Sequence, residues 1–253
     1  MTFAMYPSLK DRSVFITGGS SGIGLEMVRA FARQGARVGF IGLEATSGAA
    51  LAEELTRDGV KARFEACDLR DIDALKSAFA ALERELGPAL VLVNNAARDD
   101  RHAWGEVTSD YFDERIATNL KHMFFAIQSV APGMIAAGGG SIINLGSDGW
   151  WRATGGFPVY AASKAAVHGL TRSFARDLGR HRIRVNTLVP GWTMTERQKT
   201  LWVTPEGLES QHKAQCLPDL IQPEDVARVA LFLAADDSSM CTASNFFVEA
   251  GAI

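Results

Sequence analysis

Thr17-Gly18-Gly19-Ser20-Ser21-Gly22-Ile23-Gly24 follows the β-branched and aromatic run Ser13-Val14-Phe15-Ile16-Thr17 and leads into an apolar helical pattern. The run reads as a strand, the pattern after it as a helix, and the glycines as the turn between them. Gly18 lets the chain turn tightly. Gly22 removes a side chain where backbone must approach a pyrophosphate, and Gly24 lets the helix pack closely on the strand. The opening turn of such a helix offers free N–H groups and a partial positive charge to phosphates. A glycine turn alone says little. Between the first strand and first helix of a βαβ unit, it is the context a dinucleotide requires. This reading assigns Gly18, Ser20, Ser21, Gly22, Ile23 and Gly24 to a cofactor.

Outward from the turn, short β-branched runs alternate with helix-length segments. Arg37 to Ile41, Ala62 to Ala66, Ala89 to Val93, Ser141 to Leu145, Arg184 to Val189 and Asn245 to Val248 read as further strands. Ala45 to Arg57 and Ile72 to Leu86 read as helices between them. Near-continuous apolar strands joined by helices imply an α/β fold. The expectation is a doubly wound parallel sheet (a Rossmann fold) of about seven strands, with helices on both faces. With 253 residues, 47% of them hydrophobic, the chain suits one domain over 1–253. The polar, irregular stretch 191–222 breaks the alternation after a strand end; it is expected to be a substrate lid, an ordinary surface excursion being the alternative.

A net charge of −3 without a basic stripe argues against nucleic acid. No apolar run approaches the ~18 residues of a membrane helix. Met1 to Lys10 lacks the pattern of a signal peptide. Cys67, Cys216 and Cys241 have no metal-ligand spacing and suggest reduced, packed thiols in the cytoplasm. No metal is expected.

A carboxylate ending the second strand would bind the adenosine ribose and repel a 2′-phosphate. The position expected for it is Gly42, and the nearest acid is Glu44. No arginine follows to clasp a phosphate. The expectation is use of both NAD and NADP, with Ser20, Thr46 or Ser47 as possible phosphate ligands.

Tyr160-Ala161-Ala162-Ser163-Lys164 opens an apolar helical pattern, so Tyr160 and Lys164, at i and i+4, share a face. A tyrosine pKa near 10 leaves only about one molecule in a thousand as phenolate at pH 7. A nearby ammonium and a positively charged nicotinamide both favour the ionised form. Such a tyrosine can take a proton from an alcohol as hydride leaves its carbon. Ser147, just past the strand Ser141 to Leu145, could hold the reacting oxygen. Tyr-x-x-x-Lys by itself is common on amphipathic helices.

Together, the turn at Thr17 to Gly24, Asn94-Asn95-Ala96-Ala97, Ser147, Tyr160-x-x-x-Lys164 and Pro190-Gly191 resemble the short-chain dehydrogenase/reductase family over essentially the whole chain. The resemblance implies further roles. Asn119 would kink its helix and hold a water linking Lys164 to solvent. Asp68 and Leu69 would contact adenine. Asn95, Ala96 and Ala97 would line the cofactor, although the family's usual Asn-Asn-Ala-Gly is Asn-Asn-Ala-Ala here. Pro190, Gly191, Thr193 and Thr195 would hold the carboxamide of nicotinamide. Tyr160 and Lys164 would also touch the cofactor, Lys164 at the nicotinamide ribose. A homotetramer is likewise implied.

For the substrate, Arg98-Asp99-Asp100-Arg101-His102 at a strand end would suit many hydroxyls, a solvated loop being the alternative. Trp150, Trp151 and Trp192 offer indole faces on which sugar rings stack, although each could equally serve packing. These details, with Trp202-x-x-Pro205-Glu206-Gly207 and Ala214-Gln215-Cys216-Leu217, are similar to bacterial aldose 1-dehydrogenases acting on galactose, xylose, arabinose or rhamnose. Those enzymes often have Asn at the position of Arg98 and Ser at that of Gly149. The implied reaction is oxidation of the anomeric C1 hydroxyl to an aldonolactone. Arg98, His102, Ser147, Gly149, Trp150, Trp151, Tyr160 and Trp192 are the expected substrate contacts. Another short-chain dehydrogenase reaction, on a polyol or a 3-oxoacyl substrate, stays open, as does a cofactor-binding protein without catalysis.

Overall fold

The computed structural model describes residues 3–252. Among them, β1 (Ser13–Thr17), β2 (Arg37–Gly42), β3 (Ala62–Ala66), β4 (Val91–Asn94), β5 (Gly140–Leu145), β6 (Ile183–Pro190) and β7 (Asn245–Val248) form one seven-stranded sheet. The order is β3-β2-β1-β4-β5-β6-β7 and the pairings are parallel. The expected doubly wound sheet is therefore present. The fourth strand begins two positions later than its apolar run, because pairing with β1 starts at Val14 opposite Val91.

Side chains alternate across a strand, and here both faces are covered. Val14 and Ile16 enter one core cluster while Phe15 enters the other; Val91 and Val93 oppose Leu92 in the same way. On the first face lie α1 (Gly22–Arg33), α2 (Ala45–Arg57) and, later in the chain, α9 (Pro223–Ala234). On the second lie α3 (Ile72–Leu86), α5 (His122–Ala136) and α6 (Pro158–Leu178). This double burial is why the central strands read as nearly unbroken apolar runs, unlike the half-buried edge strands β3 and β7. No helix of the described residues is long and apolar enough to cross a membrane.

Two departures matter for function. Between α4 (Ser109–Ile116) and α5, residues Ala117–Lys121 form a π-helical turn, a widening common at functional sites. The stretch 191–222 is less irregular than its composition suggests. It contains α7 (Glu196–Leu201) and α8 (Pro205–Ala214), whose N-cap hydroxyls, Thr195 and Thr204, accept from Gln198 N and Gly207 N. Threonine caps start both helices despite their polarity, helped in α8 by Pro205 at the first helical position.

The chain winds β1 to β3 in one direction and then returns to place β4 beside β1. The crevice beyond the strand ends at that reversal is where doubly wound folds bind ligands.

Candidate active site

A cleft of about 980 Å³ opens at these strand ends. Gly18, Ser20, Ser21, Gly22 and Ile23 line it at the end of β1. Gly18 and Gly22 have left-handed φ of 68° and 56°, which only glycine adopts freely. A Cβ on Gly24 would lie 2.0 Å from the Gly18 carbonyl oxygen, so Gly24 serves the close packing of turn and helix and does not itself line the cleft. Asn95 fastens the turn: its Nδ2 donates to the carbonyls of Thr17 and Gly18 at 3.0 and 3.1 Å. The Thr17 hydroxyl in return accepts from the backbone N–H groups of Asn95 and Ala96. The Ser21 side chain leaves the α1 N-terminus uncapped. A tight backbone cradle facing a helix start fits a dinucleotide pyrophosphate.

Other expected cofactor residues converge on the same cleft. Glu44, Asp68, Leu69, Asn95, Ala96, Ala97, Pro190, Gly191, Thr193 and Thr195 all line it. Asp68 is not free, since Arg70 holds it at 2.5 Å and keeps its carboxyl below the usual range. Of the three hydroxyls considered for a 2′-phosphate, only Ser20 lines the cleft. Thr46 and Ser47 do not, and the Ser47 hydroxyl donates to the Glu44 carbonyl.

Ser147, Tyr160 and Lys164 come together beside the end of β5. Ser147 lies in the loop after β5, where its Oγ accepts from Gly149 N at 3.1 Å and hydrogen-bonds Tyr160. Lys164, one turn beyond Tyr160 on α6, is buried; its Nζ donates to the Leu145 carbonyl at 2.6 Å and lies 5.8 Å from the Tyr160 ring centre. Burial pushes the Lys164 ammonium down to about 7, against the opposing pull of Asp99. Tyr160 departs from expectation. Burial pushes its hydroxyl above the usual tyrosine range, the Ser147 hydrogen bond opposes this, and the carboxylates of Asp99 and Asp148 add to it. The neighbouring lysine does not outweigh lost solvation, because the same burial disfavours its own charge.

Asn119 holds a neighbouring loop. It is buried within the π-helical turn, consistent with the expected kink. Its side chain, however, is committed to the Arg98 backbone: Oδ1 accepts from Arg98 N at 2.7 Å and Nδ2 donates to Arg98 O at 3.1 Å. It fixes the loop after β4 and does not line the cleft. Nearby, the buried His122 bonds the Ala96 carbonyl at 3.1 Å, with burial lowering its pKa to about 4.

Three of the expected substrate contacts fall elsewhere. The His102 ring bonds the Asp100 carbonyl, the Tyr111 hydroxyl and Val159 N, so it ties α4 to the start of α6. Trp150 donates to His168 Nε2 at 3.1 Å and packs edge-on against it. Trp151 is 66% exposed and reaches toward Phe247 on β7. None of the three lines the cleft, whereas Arg98, Gly149 and Trp192 do. In their place the fold brings in Asp99, Arg101, Arg152, Phe157, Trp202 and Gln211. Arg152 lies 3.5 Å from the buried Asp148 and donates to Gln211 on α8 at 3.2 Å. Gln198 of α7 bridges Trp192 Nε1 and Asp99. For Asp99 and Arg101 the only clue was their place just past the end of β4, beside Arg98. The contacts from α7 and α8 had no local signal.

A family profile described as "Enoyl-(Acyl carrier protein) reductase" matches residues 18–252. D-xylose 1-dehydrogenase of Caulobacter vibrioides is 47% identical over 251 residues, 99% of each chain. The chain belongs to the short-chain dehydrogenase/reductase family. Within that family, "Probable galactose dehydrogenase GalD" of Rhizobium meliloti is 43% identical over 249 residues, 98% of this chain and 97% of that one. Among solved structures, a 7 alpha-hydroxysteroid dehydrogenase complexed with NADH and 7-oxo glycochenodeoxycholic acid superposes with a TM-score of 0.94 at 30% identity, covering 100% of this chain and 98% of that one. The short-chain dehydrogenase cysteines are unpaired: Cys67 is buried against the cleft, Cys241 is half-buried and Cys216 is exposed. The expectation that all three are packed fails for Cys216.

Proposed function

We propose that this protein is an NAD(P)-dependent aldose 1-dehydrogenase, oxidising the anomeric C1 hydroxyl of a sugar such as L-arabinose or D-galactose to the aldonolactone. The observation that carries the reading is the make-up of the cleft beside Ser147 and Tyr160. Ring faces of Phe157, Trp192 and Trp202 stand among paired polar groups, with Asp99 near Arg197 and Asp148 beside Arg152. Matched charges suit a neutral substrate, and aromatic faces among donors and acceptors suit a ring bearing hydroxyls. The xylose and galactose dehydrogenases among its relatives support the same class.

In this mechanism Ser147 holds the substrate oxygen and Tyr160 takes the hydroxyl proton. The glycine cradle, Asn95 and the wall from Pro190 to Thr195 would hold the dinucleotide. Bound there, an oxidised nicotinamide supplies a positive charge and the acceptor for the C1 hydride. That charge favours the tyrosinate that burial alone disfavours. Lys164, with a pKa near neutrality, can exchange the proton's charge without a large energetic step. Asn119 acts by fixing the Arg98 backbone.

The cofactor reading is dual use, supported by Gly42 in place of an acid and by Ser20 in the cleft wall. The α7–α8 segment is read as the substrate lid, supported by its polar bridges to Asp99 and Arg152. A cytoplasmic homotetramer completes the reading. Family membership and the exposed Phe112, Phe124 and Phe247 on α4, α5 and β7 support it.

The test is a spectrophotometric screen of purified protein against a panel of aldoses, polyols and ketones with NAD⁺ and NADP⁺ in parallel. Aldose oxidation is expected, and turnover confined to polyols or ketones would overturn the assignment. Tyr160→Phe is expected to abolish turnover while leaving cofactor affinity unchanged; substantial remaining activity removes Tyr160 as the base.

A further inference from the structure

Most arginines around the cleft are partnered by carboxylates: Arg70 by Asp68 and Glu114, Arg115 by Glu114 and Asp100, Arg152 by Asp148, and Arg197 by Asp100. Arg101 differs. Half-buried in the cleft wall, it has no hydrogen-bond acceptor and no ion-pair partner for its guanidinium among the described residues. Its plane is nonetheless held. The guanidinium carbon stands 4.1 Å from the centre of the Phe157 ring and 5.5 Å from that of Trp202. Phe157 in turn packs edge-on against Tyr160, at 5.4 Å and 85°. Five N–H donors fixed in direction, partly withdrawn from water and without protein acceptors, are an incomplete hydrogen-bonding site.

We infer that Arg101 is a substrate-positioning residue: clamped between Phe157 and Trp202, it donates hydrogen bonds to the hydroxyls of a sugar lying beside Tyr160. This rests on the aldose reading above. A guanidinium fork can bond two vicinal hydroxyl oxygens at once, which a point charge such as lysine does less well. Trp202 follows α7, so the same contact ties the lid side of the cleft to the catalytic helix. Arg101 also acts on the base. Its positive charge lowers the Tyr160 pKa, working against burial and against Asp99 and Asp148. The charged groups around Tyr160 are Asp99 and Arg101 from the loop after β4, Asp148 and Arg152 from the loop after β5, and Lys164 on α6, while Arg197 of α7 reaches Asp99 at 3.9 Å. Of the cations, Arg101 is the one in this set whose charge is not already taken by a paired carboxylate or a backbone carbonyl.

The experiment compares wild type, Arg101→Met and Arg101→Lys with the best aldose of the screen, measuring kcat and KM across pH and the affinity for NADH by fluorescence. Methionine keeps the apolar contact with Phe157 and removes both donors and charge. Arg101→Met is expected to lose roughly ten- to hundredfold in kcat/KM, mostly in KM, the scale of a charge-assisted hydrogen bond. The acid limb of its kcat/KM profile is expected to move up by about half a unit to one unit, the scale of one partly screened charge. Arg101→Lys restores the limb but not KM. NADH affinity stays at the wild-type level in both. A methionine variant with unchanged KM and an unmoved limb overturns the proposal, as does a loss that runs in parallel with NADH affinity. A wild type inactive on every aldose overturns the aldose reading and this proposal with it; an active wild type with an indifferent Arg101 variant overturns this proposal alone.

Discussion

On the proposed reading cofactor choice turns on the end of β2, and the structure says what placing an acid there requires. A Cβ on Gly42 would fall 2.7 Å from Ser20 Oγ, 3.4 Å from Ser20 Cβ and 3.5 Å from Phe64 Cε2. Only the first distance is a clash, and it is with the tip of a side chain that turns about one torsion. Gly42 does not have a left-handed φ, so an aspartate there carries no backbone strain. The double variant Gly42→Asp/Ser20→Ala therefore removes the clash and installs the carboxylate in the cleft wall, next to Leu43 and Glu44. At an effective dielectric of about 20 and a separation of about 6 Å, one pair of unit charges costs about 3 kcal/mol. Allowing for solvent at the rim, discrimination of about 2–3 kcal/mol corresponds to roughly 30- to 150-fold. The assay is initial rates over a range of NAD⁺ and of NADP⁺ at fixed aldose, and kcat/KM for NADP⁺ relative to NAD⁺ is expected to fall by that factor. A ratio within about threefold of wild type refutes the placement of the adenosine ribose at Gly42, because no nearby 2′-phosphate could ignore the added charge.

Two further outcomes follow from the burial of the site. Lys164 sits at about 7 when folded and near 10.4 when unfolded, so between those values the unfolded chain binds a proton that the folded chain does not. Stability of the cofactor-free protein should rise with pH through this window and be lost as pH falls toward 7, with a slope of up to about one proton. Lys164→Met should flatten the rise, and parallel urea-midpoint curves from pH 7 to 9.5 would refute the buried neutral amine. Above pH 10 the raised Tyr160 works the other way, since the unfolded tyrosine ionises first. Gly24→Ala would bring a methyl 2.0 Å from the Gly18 carbonyl oxygen and 2.5 Å from Asn95 Nδ2. It should cost about 1–3 kcal/mol of stability, as overpacking does, and weaken cofactor binding; an unchanged NADH affinity would show that the cradle does not depend on this approach.

How far the site could be read in advance depended on what fixes each residue. The turn at Gly18 to Gly24 and the pair Tyr160 and Lys164 were legible because local geometry determines them: a glycine φ in the first case, an i and i+4 spacing in the second. The central strands were legible because both of their faces are buried, while the edge strands β3 and β7 are only half-buried. His102 and Trp150 were misread because closeness in sequence to a strand end does not say which way a side chain points. His102 turns toward Tyr111 and the start of α6, and Trp150 toward His168 on α6. In the loop after β4, Asp99 and Arg101 face the cleft while Asp100 and His102 face α4, so the same charged run splits between chemistry and scaffold. Arg152 and Gln211 meet only because α8 comes up against the loop after β5, a long-range fact without a local trace.

The ionisation of the catalytic groups was harder to read than their positions, and the reason is physical. Spacing places an ammonium near a phenol, and that arrangement suggests a lowered tyrosine pKa. The structure adds that both groups are withdrawn from water, and burial penalises charge on each of them. Tyr160 is held toward its protonated form and Lys164 toward neutrality, so the pair does not activate itself. Asp99 raises the pKa of both groups, holding charge on the lysine while opposing it on the tyrosine. In the proposed reaction, positive charge from outside the pair, from Arg101 and from an oxidised nicotinamide held in the cleft, would tip Tyr160 toward its basic form. On that reading the base would stay protonated until cofactor charge arrives and become competent when the acceptor for hydride is in place.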